Sequence, residues 1–161
     1  MKISSISEIK RELKERSHSD LLEFCLRMSK FKKDNKELLN YLLFEAYDEE
    51  NFKAVLKSEI STEFAEMNAS SIYLAKKSIR RILRMVTKNI KYSSNKQTEV
   101  ELLIFFCLEM RKLDLPFQES KVLINLYSRQ LINIQKALTL LDEDLLFDYQ
   151  SEMEEIQQPL N

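Results

Sequence analysis

Across 161 residues the chain contains no glycine and only two prolines, Pro116 and Pro159. A chain of this length and ordinary composition would hold about eleven glycines. Hairpin turns, bulges and phosphate-cradling loops depend on glycine, because a Cβ blocks the backbone conformations or close approaches they require. Helices call for it only at their ends, where asparagine can take the left-handed position. The absence therefore predicts an all-α fold. It also removes the GxGxxG dinucleotide loop, the Walker A loop and the GxSxG nucleophile elbow.

Other chemistry is excluded by the same kind of count. A single histidine, His18, leaves no HExxH zinc site and no paired Glu-x-x-His ligand set. It is expected as a solvated residue just before a helix. The longest apolar run, Leu102 to Leu108, is far short of the roughly 20 residues of a membrane-spanning helix, so no membrane partner is expected. Two cysteines and an N-terminus without a signal-peptide core point to the cytoplasm and to free, buried thiols. No catalytic constellation, metal site or cofactor is expected, and the chain reads as non-enzymatic.

Apolar residues make up 44% of the sequence, enough for a core, and their spacing marks seven to eight helices. The first runs from about Ser7 to Glu15, after the capping-box spacing Ser5-x-x-Glu8. The second, Ser19 to Phe31, is expected to bury Leu21, Leu22, Phe24, Cys25 and Met28. The third starts at Asp34 with a second capping signature, Asp34-x-x-Glu37, and reaches Tyr47. The fourth starts at Asp48 and carries Phe52, Val55, Leu56, Ile60, Phe64 and Met67 inward. The fifth spans Ser71 to Tyr92, the sixth Lys96 to Leu113, the seventh Gln118 to Leu141 and the eighth Asp142 to Glu155. These form one all-helical domain over residues 1–155, with 156–161 a frayed tail. Glu45, Glu99 and Glu101 are expected at helix ends or on the surface.

The segments LLEFCLRMSKF (Leu21 to Phe31) and LIFFCLEMRKL (Leu103 to Leu113) share Leu, Phe, Cys, Leu, Met and Lys in order. The helices that follow them also align, KELLNYL against KVLINLY. An 82-residue offset is twice the ~41 of a HEAT-type helical pair. The helices would then pack in antiparallel pairs, as a HEAT-like right-handed superhelix or as an irregular helical bundle. Cys25 and Cys107 fall at equivalent positions, which marks both as small core residues rather than a nucleophile or ligand pair.

The segment from Tyr73 to Gln97 carries eight lysines and arginines, and no acid occurs between Met67 and Thr98. At about 100° per residue, Ile72, Ala75, Ile79, Ile82, Leu83, Val86 and Ile90 gather on one side. Lys77, Arg80, Arg81, Arg84, Lys88 and Lys91 gather opposite, with Lys76 at the edge. Like charges three and four apart cost a few tenths of a kcal/mol per pair, so a counter-charge is implied unless solvation suffices. Three sources fit: an acidic protein surface, a nucleic acid, or the segment from Ala137 to Asn161, which holds seven acids and no base. That last segment could act within one chain or by self-association. In a HEAT-like array Arg129 and Lys136, with Asn125 and Asn133, would flank the stripe on one side, and Lys36 and Asn40 on the other. The run Arg27 to Lys36 is read as helix-end cations favoured by the macrodipole.

Over residues 19 to 141 the helix-pair pattern resembles HEAT-like α-superhelices, a class that includes scaffold proteins and bacterial helical-repeat DNA glycosylases. Those glycosylases use tryptophan among their groove aromatics. This chain has none, so the resemblance implies a basic groove and not their activity. The expected function is binding of an acidic protein partner through the fifth helix, with nucleic-acid binding through the same stripe as the alternative.

Overall fold

Short polar side chains start most of the helices. Ser5 and Ser17 form capping boxes with Glu8 and Asp20 at the heads of α1 (Ile6–Lys14) and α2 (His18–Phe31). Asp48 caps α4 (Glu49–Ala65), Ser71 caps α5 (Ile72–Ser93), Asn95 caps α6 (Lys96–Arg111) and Ser120 caps α7 (Lys121–Leu138). The computed structural model describes residues 3 to 160, and no strand occurs among the described residues. The remaining helices are α3 (Lys33–Asn40), α8 (Glu143–Asp148) and α9 (Gln150–Gln157).

Three boundaries differ from the sequence expectation. α3 begins after Lys32, which makes no side-chain cap, so the Asp34 signature lies inside the helix rather than at its head. α3 also stops at Asn40 and gives way to a π-helical turn, Tyr41–Glu45. The expected last helix is split at Tyr149 into α8 and α9. Between α5 and α6 the left-handed position belongs to Ser94 (φ 55°), the residue type that glycine or asparagine would more comfortably fill. Its N–H donates to the Ile90 carbonyl at 2.9 Å and so closes α5.

The chain divides into two compact units, one ending at Phe44 and the other beginning at Glu45. In the second unit α6 is the hub, packed against α4, α5, α7 and α9. Its Val100, Leu102, Leu103, Ile104, Phe106, Cys107 and Met110 are all buried. α4 contributes Phe52, Leu56, Ile60 and Phe64, α5 contributes Ala75, Ile79, Ile82 and Val86, and α7 contributes Leu123, Tyr127 and Ile134. The Phe64 and Phe106 rings meet at 5.4 Å between centroids and a 54° tilt, a favourable aromatic geometry. This unit is an irregular helical bundle.

The C-terminal residues, expected to fray, pack against this bundle. Ile156 and Leu160 are buried. Side chains of the bundle hold the backbone carbonyls of this segment: Tyr127 donates to Ile156 at 2.7 Å, Arg111 to Gln158 at 2.7 Å and Gln118 to Leu160 at 2.8 Å. Burial pushes the Tyr127 hydroxyl up to about 12, against a smaller downward pull from Arg111, so it stays a donor.

The first unit is built differently. α2 packs on α3, and Asn35 Nδ2 closes their turn on the Met28 carbonyl at 2.9 Å. None of the described side chains of α1, α2 or α3 is buried. Leu22, Phe24, Cys25 and Met28, expected inside, are exposed, and Leu21 is half-buried. One neighbouring helix covers one side of α2, and a unit ending at residue 44 is near the size below which chains seldom enclose a core alone.

Candidate partner-binding face

The basic stripe forms as its period requires. Ala75, Ile79, Ile82 and Val86 are buried on α6's side of α5, with Ile72, Leu83 and Ile90 half-buried beside them. Lys77, Arg80, Arg81, Arg84 and Lys91 are exposed, and Lys88 is half-buried and has a partner. Arg81 binds Glu63 of α4 at 2.5 Å, an exposed pair of the kind worth under about 1 kcal/mol. Among the described residues, no carboxylate lies within ion-pairing distance of Lys77, Arg80, Arg84 or Lys91. Local neutralisation therefore accounts for part of the stripe and leaves most of its charge available.

α5 and α7 both lie on α6 and leave grooves between them. One groove of about 350 Å³ is lined by Arg80 and Leu83 from α5 and by Val122, Asn125, Leu126, Arg129 and Gln130 from α7. A second, about 530 Å³, brings Lys91 together with Asn133 near the Ser94 turn. Arg80, Asn125 and Arg129 thus share one site and Lys91 and Asn133 share another. Lys136 is exposed on α7 and lines neither groove. Lys36 and Asn40 belong to the first unit. The apolar lining residues (Leu83, Val122 and Leu126) were not part of the expected site, although Leu83 had been placed on the apolar side of its helix.

No family model, curated protein or solved structure matches the chain.

The seven acids of the C-terminal segment are exposed, and none forms an ion pair with the stripe among the described residues. Two apolar residues of α8 are exposed with them, Leu146 at 38% and Phe147 at 79%. α8 buries no side chain and leans on α9. A hollow of about 400 Å³ lies beside Leu146 and Phe147, reaching Leu138 and Thr139 at the end of α7.

A charged cluster inside the bundle was missed by sequence reasoning. Lys53 was not among the inward residues assigned to α4, whereas Val55 was. Lys53 is 3% exposed and Val55 is 54% exposed. Lys53 Nζ donates to Glu101 Oε1 at 2.6 Å and pairs with Glu50 at 2.7 Å, and Lys57 Nζ donates to Glu101 Oε2 at 2.8 Å. Tyr149 and Gln97 donate to the same carboxylate at 3.2 and 3.3 Å. Burial alone would raise Glu101, but the hydrogen bonds from Lys53 and Lys57 outweigh it and hold the carboxyl below its ordinary value. Burial likewise pulls Lys53 down, yet its two carboxylate partners hold it above the usual lysine value. The signal was available in the spacing: Lys53, Leu56, Ile60 and Phe64 lie on one face at i, i+3, i+7 and i+11. A lysine on such a face needs a buried partner.

Nearby, Glu49 accepts from Thr98 Oγ1 at 2.5 Å and from the Ser93 hydroxyl. The head of α4 is thereby tied to the α5–α6 turn. Both clusters join helices through charged and polar side chains.

Proposed function

We propose that this chain is a non-enzymatic binding module whose α5–α7 face takes an acidic, partly apolar segment of a protein partner. One observation carries this reading: Arg80 and Arg129 line a single groove together with the apolar Leu83, Val122 and Leu126, beside Asn125 and the buried Gln130. Guanidinium groups suit bidentate capture of carboxylates. The apolar side chains beside them favour a segment that also buries a leucine or phenylalanine. A phosphodiester backbone would use the arginines and leave that apolar surface wet. Packed pairs α4–α5 and α6–α7 support a HEAT-like frame for this face, while α9 on α6 departs from a simple repeat.

The test is fluorescence anisotropy with two probes, a labelled peptide of alternating acidic and leucine residues and a labelled single-stranded oligonucleotide. The peptide should bind, and Arg80→Gln with Arg129→Gln should weaken it about tenfold or more. Tighter binding of the oligonucleotide, with a log–log salt slope that scales with phosphates contacted, would replace this reading with nucleic-acid recognition. Peptide binding indifferent to both arginines would end it.

A further inference from the structure

The acidic segment at the end of the chain has the complementary pattern to the groove, and it is carried on every copy. α8 and its cap read Asp142-Glu143-Asp144, then Leu145-Leu146-Phe147, then Asp148. One short helix thus presents carboxylates and apolar side chains together, as the groove presents Arg80 and Arg129 together with Leu83, Val122 and Leu126. Asp144 and Asp148 are four residues apart, so they lie about 6 Å apart on one side of the helix. We propose that the α5–α7 groove takes α8 of a second copy of this chain, joining copies head to tail. The inference rests on the partner-binding reading of that groove and names one occupant for it.

α8 is free to be donated. It buries none of its own side chains, Phe147 is 79% exposed, and its neighbour is the short α9. Occupation within one copy is opposed by distance. α8 lies beside Leu138 at the end of α7, whereas Arg129 lies nine residues earlier, about 14 Å back along the helix axis. The acids accordingly form no ion pair with Arg80 or Arg129 of their own chain among the described residues. Groove and helix are different surfaces, so the contact is heterologous and each pair of copies keeps one unused groove and one unused α8.

Sedimentation equilibrium of the full chain tests this with two variants whose changed side chains are all exposed. One carries Arg80→Glu with Arg129→Glu and has no working groove. The other carries Asp144→Lys with Asp148→Lys and has no working α8. The unmodified chain should associate with rising concentration, and added salt should reverse it. Each variant alone should be monomeric, with association weakened about tenfold or more per reversed charge. Mixed, they should associate again, because the native groove of one meets the native α8 of the other and the reversed groove meets the reversed α8. An unmodified chain that stays monomeric, an association that survives either variant, or a mixture that fails to pair would each overturn the inference. The acidic–leucine peptide separates the two failures. If it still binds through Arg80 and Arg129 while the chain stays monomeric, self-docking is wrong and the partner-binding reading stands.

Discussion

Leu21 to Phe31 in α2 and Leu103 to Leu113, running from α6 into the turn after it, place Leu, Phe, Cys, Leu, Met and Lys in the same order, and their surroundings are opposite. Phe24 is 41% exposed and Met28 62%, whereas their counterparts Phe106 and Met110 are fully enclosed. α6 has helices α4, α5, α7 and α9 against it, and α2 has chiefly α3. A pattern of apolar residues sets which side of a helix seeks cover. How many neighbours supply that cover depends on residues far away in sequence. Polar substitutions between the two segments follow the same lines: Arg27 and Glu23 in α2 correspond to Glu109 and Phe105 in α6. Glu109 is buried but keeps Lys112 at 2.5 Å.

The cysteines offer the widest contrast. Cys25 is exposed; Cys107 is enclosed, and burial, slightly offset by Arg111, pushes its thiol up to about 12. The thiolate is the reacting species, so alkylation of the native protein at neutral pH should modify Cys25 and spare Cys107. Cys25 should be largely modified before Cys107 is detectably labelled. Peptide mapping by mass spectrometry after a timed iodoacetamide pulse reads it directly. Comparable labelling of the two sites would erase the distinction between the helices. In urea both should react.

Packing gives the next largest effect. Phe106→Ala removes a fully buried ring in contact with Phe64 and should cost about 3–5 kcal/mol. Phe24→Ala, on a ring that is 41% exposed, should cost under about 1 kcal/mol. Urea denaturation midpoints measure both. An equal loss at Phe24 would mean that α2 is as deeply packed as α6 when the protein is in solution.

Those contrasts also mark what sequence could and could not reveal. Caps are local, so Ser5 with Glu8 announced α1 from four adjacent residues. The α5 stripe was legible because helical period alone separates Ile79 and Ile82 from Arg80, Arg81 and Arg84. The groove was half legible: Arg129 and Asn125 were placed near the stripe, while its Leu83–Val122–Leu126 lining depends on how α5 and α7 rest on α6. The exposure of Cys25 was illegible, because an amphipathic pattern says nothing about what covers it. So was the Lys53–Glu101 clamp, whose partners are 48 residues apart.

That clamp supplies the last prediction, and it sharpens the contrast from the polar side, since α6 accepts buried charge that α2 does not hold. Glu101→Gln leaves Lys53 buried with Glu50 as its remaining carboxylate partner, and Glu50 is 81% exposed. Removing one member of a buried pair typically costs 3–5 kcal/mol; with Glu50 retained, about 2–3 kcal/mol is expected at pH 7. The dependence on pH has a definite sign. Glu101 is held below the ordinary carboxylate value of 4.5 in the folded chain. Its stabilisation is therefore complete above that value and is lost as pH falls through the folded pKa. Lys53, held above 10.5, contributes fully below that value and loses its share as pH rises through its folded pKa. Urea unfolding of the unmodified chain and Glu101→Gln should differ most near neutrality. Below the folded pKa of Glu101 the two should converge, because a protonated carboxyl and an amide present nearly the same uncharged group to Lys53 and Lys57. A difference that persisted undiminished into acid would mean that Glu101 acts through packing shape rather than charge.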